Sequence, residues 1–598
     1  MEGDGGEGTS FASCAGGFMS AEHNLWWARA FVAELLGAQV EHAVLCPGSR
    51  STPLALALFR EKHIQSHVLL DERVAGFFAL GLSKATQRPV ALLCTSGSAG
   101  THFFPAIAEA FFSRAPLLVV TADRPWELHG FGAPQTMPQL GLYGRFVCLS
   151  ENIPAPTENR AAWLHMRAVV AKALAQAQHH SLPAHLNFEF REPLCSTLAQ
   201  EPSPALPLPP LPPTPSFAYA ERGLAPQALE KVCSALNAAL RPLLLVGNHP
   251  QAPGFASAVF RLSQKLSAPL LVEAASNLRF QKPPGIPVIA SYDILLRDEG
   301  FRKQMKADCV LCLGGTLVSK QVQTWLGESS ARIFMLLEHG VEADFQHAAE
   351  AVIQCNVAEA CTYLEAHVSD EVSGSPKAYA ERFSRIEAAA QQTLSGLLEE
   401  AWCEPAIARK LMEAIPSGSN CFVANSMPIR DIDAFAAASS KELHMYVNRG
   451  LNGIDGLIST AQGVAVATQR PTFLLIGDLA CLHDIGGWMQ AKHLEVPFVV
   501  VVVNNQGGGI FHFLPVAKQQ EAFEACFALS HDTSFSKVAE LAEAAYSNPK
   551  TLSEFARALS LAAKGGVSLI EVCTDRHSNV AAHQTLYEGV LKNLEAFF

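Results

Sequence analysis

Two polar pairs follow apolar runs in the C-terminal third of the chain: Gly477-Asp478 after TFLLI, and Asn504-Asn505 after FVVVVV. Asp478 and Asn505 are 27 residues apart, room for a loop, a crossover helix and a second parallel strand. Their side chains would then lie beside each other at the carboxyl edge of one sheet. A carboxylate from Asp478, an amide oxygen from Asn505 and a backbone carbonyl from Gly507 offer three oxygens to a hard cation such as Mg2+. Diphosphate oxygens and a water would fill the remaining octahedral positions. Gly477 permits close backbone approach, and the helix opening at Leu479 and Ala480 offers amide donors to phosphate. Either pair alone is more often a helix cap or a turn. The spacing after two apolar runs is what points to a metal–diphosphate site.

Similar runs recur along the chain, each ending in polar or small residues before a helical stretch. AVLCP (43–47), HVLLD (67–71), PVALLCTSG (89–97) and PLLVVTADR (116–124) come first; PLLLVGNHP, APLLVEAAS and ADCVLCLGG follow; NCFVANS, PTFLLIGDL and VPFVVVVVNN come last. Strands apolar on both faces and alternating with helices predict parallel sheets covered on each side. The expected fold is α/β, with three doubly wound parallel-sheet domains and ligands beyond the carboxyl ends of the strands. A length of 598 residues already exceeds what one core holds. The segment 201–216, EPSPALPLPPLPPTPS, has eight prolines and reads as a semi-rigid linker. With a softer boundary near 370–377, the blocks are a tail at 1–19 and domains at 20–200, 217–370 and 380–598.

Composition narrows the classes. Hydrophobic residues make up 49% and charged residues 17%, with 44 basic against 56 acidic side chains and a net charge of −12. No basic block stands out, so a nucleic-acid binder working by phosphate neutralisation is not expected. The longest apolar runs are too short to span a bilayer, so no membrane span is expected. Residues 1–18 are Gly-rich and acidic, with neither the basic nor the apolar region of a secretory signal; they read as a disordered tail, with Met19 as a candidate start. The 15 cysteines are scattered. Only Cys309 and Cys312 form C-x-x-C, on a strand-like run where such positions face opposite sides. A reduced, cytoplasmic protein is expected.

GDLACLHDIGG…VVVVVNNQGGGIF resembles the diphosphate-binding motif of thiamine-diphosphate-dependent enzymes, which begins GDG and ends NN. Leu479 stands in place of the third-position glycine, as in the menaquinone-pathway branch of that family. Further segments are similar to the same branch: CPGSRSTPL (46–54), DERVAGFFALG (71–81), TSGSA (95–99), TADRPWEL (121–128), GAPQT (132–136), NSMPIRDIDAF (425–435) and NRGLNGIDGLISTAQG (448–463). The resemblance runs from about Asn24 to TDRHSN (574–579).

The resemblance implies a pyrimidine-binding domain at 20–200, a central scaffold at 217–370 and a diphosphate-binding domain at 380–598. It implies thiamine diphosphate with Mg2+, or Mn2+ as an alternative ion. Glu72 would be the catalytic carboxylate against the cofactor's aminopyrimidine, although from the residues alone Asp71-Glu72 reads more simply as a helix cap. Ile454 would wedge the cofactor into its bent form, and Met427 and Ile510 would touch its rings. The implied activity is that of a transferase. It decarboxylates 2-oxoglutarate and adds the succinyl-semialdehyde carbanion to isochorismate in a 1,4-addition. Both substrates carry two carboxylates, which suits the planar fork of arginine. Arg50, Arg124, Arg430 and Arg449, with Lys320, are the candidate clamps, and Ser49, Gln135 and Asn425 the polar partners. Homodimers or homotetramers are implied, with active sites at subunit interfaces.

Pro134 replaces Asn in GAPQT, Gln506 replaces a third Asn, and His483 stands at an often aromatic position. Two rivals are another thiamine enzyme, such as an acetohydroxyacid synthase or a 2-oxo acid decarboxylase, and a non-catalytic paralogue serving as a binding subunit. GSRSTPL, TADRP and NRGLNGIDG weigh against the first; intact Glu72, Asp478 and Asn505 weigh against the second.

Overall fold

The computed structural model describes residues 14–597 apart from 196–212, 214–215, 221–222, 249–253, 316, 341–343, 345 and 370–374. Most of the Pro-rich segment and residues 1–13 of the N-terminal tail lie outside the described residues. The end of that tail departs from the expected irregular form, because the helix Cys14–Gly37 runs through it. A long proline-free stretch nucleates this helix, and elongation carries it back across Gly16-Gly17 at modest cost.

The chain forms two compact units, divided between Tyr219 and Ala220. In the first unit β1 (His42–Leu45), β2 (Gln65–Val68), β3 (Val90–Cys94), β4 (Leu117–Asp123), β5 (Ser150–Ile153) and β6 (Ala184–Glu189) form one sheet, in the order β2-β1-β3-β4-β6-β5. The second unit carries two sheets. One has the order β12-β11-β10-β7-β8-β9, from β7 (Pro242–Val246), β8 (Leu270–Val272), β9 (Val288–Ile289), β10 (Cys309–Leu313), β11 (Arg332–Leu337) and β12 (Ala351–Gln354). The other has the order β14-β13-β15-β16-β18-β17, from β13 (Asn420–Val423), β14 (His444–Tyr446), β15 (Thr472–Gly477), β16 (Phe498–Asn504), β17 (Ala545–Ser547) and β18 (Val567–Cys573). Every pairing is parallel. The first and third sheets wind identically, and the middle sheet has the doubly wound order in which two halves meet back to back.

Alternate residues of one strand feed two cores, as the two-residue period demands. Leu244, Cys309, Leu311 and Phe334 line one face of the middle sheet, and Leu245, Val310, Cys312 and Met335 line the other. Cys309 and Cys312 are thus separated by the sheet, as their spacing requires. The helix Ser375–Leu398, largely within the third block on sequence, lies on the middle sheet: Tyr379, Phe383, Ile386, Ala390 and Leu394 join that second core. Their spacing of three and four residues supplies one apolar stripe. Among the described residues no helix is long and apolar enough to cross a membrane.

Candidate active site

β15 and β16 pair in register, with Gly477 opposite Val503. Asp478 and Asn504-Asn505 therefore leave neighbouring strand ends side by side. Asp478 is buried at the first position of the short helix Asp478–His483. Its Oδ1 accepts the Leu479 N–H at 2.6 Å and its Oδ2 accepts the Gly507 N–H at 2.9 Å, which draws the glycine turn over the carboxylate. The Leu479 amide expected to serve phosphate is thus occupied by its neighbour's carboxylate. His531 Nε2 lies 3.2 Å from the same Oδ2, and this neighbouring carboxylate raises the imidazole's proton affinity.

Asn505 is buried and donates through Nδ2 to Glu404 Oε1 at 2.8 Å. Its Oδ1 is also buried and has no hydrogen-bond partner among the described residues. A buried acceptor left without a partner costs about 1–3 kcal/mol, so an oxygen held this way suits a cation. Glu404 opens the helix Glu404–Ala414 and also accepts the Thr574 hydroxyl at 3.1 Å. Burial, together with nearby Asp431, pushes its carboxyl up to about 7. Neither Glu404 nor His531 was legible as a site residue, because their contacts span 101 and 53 residues of chain.

The glycines divide by cause. Gly507 has φ +148°, and a Cβ there would stand 2.4 Å from the Ala528 carbonyl oxygen, so the chain itself demands glycine. At Gly477 a Cβ would meet no atom within 4 Å among the described residues beyond its two chain neighbours. Nothing in the packing requires glycine there, whereas a group approaching the backbone would. A hard cation with a diphosphate fits this donor set: one carboxylate, one unpartnered amide oxygen and an open backbone. Gln506 is exposed with φ +59°, the left-handed turn that asparagine adopts more readily.

The end of β13 contributes Asn425, Met427 and Arg430. Asn425 is buried, donates to the carbonyls of Asn448 at 2.6 Å and Gly453 at 2.7 Å, and accepts from Arg449 Nη1 at 3.2 Å. Its amide therefore ties down the loop that carries Arg449 and the half-buried Ile454. Met427 is buried and Ile510 half-buried. Arg430 is exposed, with Nη1 donating to the Ser426 carbonyl. Lys320 is exposed at the start of the helix Lys320–Glu328.

In the first unit the predicted residues cluster at the carboxyl ends of β1, β3 and β4, which are adjacent. Arg124 donates to Ser96 Oγ and to the Gln135 carbonyl at 2.8 Å. Gln135 Nε2 donates to the Ser96 carbonyl at 3.0 Å. The Arg50 amide donates to Thr95 Oγ1 at 3.3 Å, and its guanidinium reaches the Phe190 carbonyl at 2.9 Å and Glu192 at 3.0 Å. Burial and the nearby charge of Arg50 lower the proton affinity of Arg124. Glu192 and Asp123 offset part of that repulsion. Ser49 is exposed; the exposed Pro134 sits in the Gln135 turn. Thr95 and Ser96 were not named from sequence, although TSGSA was singled out as a segment. Glu72 is half-buried at the start of the helix Glu72–Thr86, whose cap is Asp71 accepting from the Arg73 amide. The capping role expected of the acidic pair thus falls to Asp71 alone.

Comparison with known proteins adds an independent line. Residues 26–142 match the family "Thiamine pyrophosphate enzyme, N-terminal TPP binding domain", residues 241–423 "Middle domain of thiamine pyrophosphate", and residues 433–572 "Thiamine pyrophosphate enzyme, C-terminal TPP binding domain". A 2-succinyl-5-enolpyruvyl-6-hydroxy-3-cyclohexene-1-carboxylate synthase of Myxococcus xanthus is 39% identical over 597 residues, covering 96% of this chain and 98% of its own. The synthase of the same name from Bacillus velezensis is 36% identical, covering 94% and 97%. The crystal structure of benzoylformate decarboxylase from Polynucleobacter necessarius aligns with a TM-score of 0.70 at 14% identity, covering 92% of this chain and 98% of that one, which speaks for the fold alone. The chain belongs to the thiamine pyrophosphate enzymes and, within them, to the 2-succinyl-5-enolpyruvyl-6-hydroxy-3-cyclohexene-1-carboxylate synthase family.

Proposed function

We propose that this chain decarboxylates 2-oxoglutarate and joins the resulting four-carbon unit to isochorismate by 1,4-addition, releasing CO2, in menaquinone or phylloquinone biosynthesis. The observation that carries the reading is identity of 39% to a synthase of this name across nearly the whole chain. Thiamine diphosphate would supply the electron sink for the carbanion chemistry. Asp478, Asn505 and the Gly507 carbonyl would hold Mg2+, or Mn2+, against the diphosphate, with Gly477, Leu479 and Ala480 lining that end. Met427, Ile454 and Ile510 would hold the rings. Glu72 would hold and move a proton at the aminopyrimidine. A homodimer or homotetramer is the proposed working form, and the protein is proposed to act in the cytoplasm.

The test is CO2 release and product mass from 2-oxoglutarate with and without isochorismate, at saturating thiamine diphosphate and Mg2+. Equal CO2 release without the second substrate would mark a simple decarboxylase and overturn the reading.

Arg50, Arg124, Arg430, Arg449 and Lys320 would bind the four carboxylates, with Ser49, Gln135 and Asn425 beside them. Arg124 leads this set, because Ser96 and Gln135 aim it and a like charge stands beside it. Arg124→Ala should lower kcat/KM for at least one substrate by roughly 10–150-fold, equivalent to one charged hydrogen bond of about 1.5–3 kcal/mol. The melting temperature should stay within a few degrees, since the side chain is partly exposed. Steady-state kinetics with each substrate varied in turn checks this; unchanged values for both would remove Arg124 from the site.

A further inference from the structure

The two successive asparagines at the end of β16 each face a buried glutamate from a different element. Asn504 Nδ2 donates to Glu571 Oε1 at 2.6 Å, and Asn505 Nδ2 donates to Glu404 Oε1 at 2.8 Å. Their carbonyl ends then part company. Asn504 Oδ1 accepts the Gln506 amide at 3.1 Å and so shapes the turn. Asn505 Oδ1 stays buried and accepts nothing among the described residues. A primary amide has a donor end and an acceptor end, and an acceptor fixed against one end decides which way the other points. Glu404 is 3% exposed and keeps its place through the Thr574 hydroxyl and the first turn of its helix. A buried acid is costly to keep, and Glu404 spends the contact on a residue 101 positions away.

We infer that Glu404 is a positioning residue: it sets the orientation of the Asn505 amide so that Oδ1, and not Nδ2, is presented to the cation of the diphosphate site. This rests on the proposed metal role of Asn505 and deepens it. The groups that orient a metal ligand typically matter ~10–100-fold in metal affinity. A residue that merely filled space would act on stability instead.

The experiment is a Mg2+ titration of thiamine diphosphate binding by the full-length protein, followed by calorimetry, with thermal melting in parallel. Glu404→Gln keeps the shape but lets the side chain donate as well as accept, so the Asn505 amide can turn over; apparent Mg2+ affinity should fall ~10-fold or more. Asn505→Asp alone sets two carboxylates face to face and should lose at least as much. In the double variant E404Q/N505D the polarity of the hydrogen bond is reversed, with the new amide at 404 donating to the new carboxylate at 505. Its Mg2+ affinity should recover well above the additive expectation. Glu404→Asp keeps the charge but withdraws the carboxyl by about 1.5 Å and should weaken Mg2+ binding too, which covers the case in which Glu404→Gln does not fold. Additive losses in the double variant, or wild-type Mg2+ affinity in Glu404→Gln or Glu404→Asp, would overturn the inference while leaving the cofactor reading in place. Absence of Mg2+-dependent cofactor binding by the unsubstituted chain would overturn both.

Discussion

Asp478→Ala is expected to abolish Mg2+-dependent thiamine diphosphate binding, with a loss of at least ~100-fold in cofactor affinity at fixed Mg2+, or about 3 kcal/mol. The magnitude follows from three simultaneous losses. The only carboxylate among the three proposed metal ligands disappears, and with it the charge that a divalent ion needs most. The Gly507 N–H loses its acceptor at 2.9 Å, so the glycine turn is no longer drawn toward the ion. His531 loses the anion 3.2 Å from its Nε2, so its side chain is no longer held beside the strand end. The fold itself should survive, because β15 and β16 stay paired through six register positions that end at Gly477. Calorimetric titration with thiamine diphosphate at several Mg2+ concentrations measures the effect. Wild-type affinity in this variant would remove Asp478 from the metal site.

Glu72→Gln should leave cofactor binding nearly intact and slow exchange of the thiazolium C2 proton by ~100- to 10,000-fold, the usual range for a lost acid–base group. The structure separates this effect from a stability effect. Asp71 caps the helix and pairs with Arg73 at 2.6 Å, so the neighbouring acid carries that duty. Glu72 is half-buried, and among the described residues its carboxylate accepts no hydrogen bond. It lies close enough to Cys46 that its charge, after burial, helps push that buried thiol up. A half-buried carboxylate without local structural work is free to serve a ligand. Proton NMR of C2 deuterium exchange in the bound cofactor is the measurement. An unchanged rate would take Glu72 out of the mechanism, and a melting temperature lowered by more than a few degrees would show that it carries structural load.

Some of this was written in the order of residues. The alternation of short apolar runs with helices determined parallel sheets, because a strand buried on both faces must be apolar at every position. Asp478 and Asn505 were legible because a strand end is marked locally, by a polar residue straight after TFLLI or FVVVVV. The edge strands β12 and β17 were not, since they keep exposed residues and so lack that mark. β6 and β18 carry buried Asn187, Glu189 and Glu571, whose polarity is balanced only across the sheet. Strand order, and with it the identical winding of the first and third sheets, was decided by tertiary pairing. So was the purpose of Glu404, an ordinary helix-opening acid in sequence, whose hydrogen bond to Asn505 exists only once distant elements are packed together. Local pattern records what each segment must bury, while the aim of a buried polar side chain depends on which partner the fold brings to it.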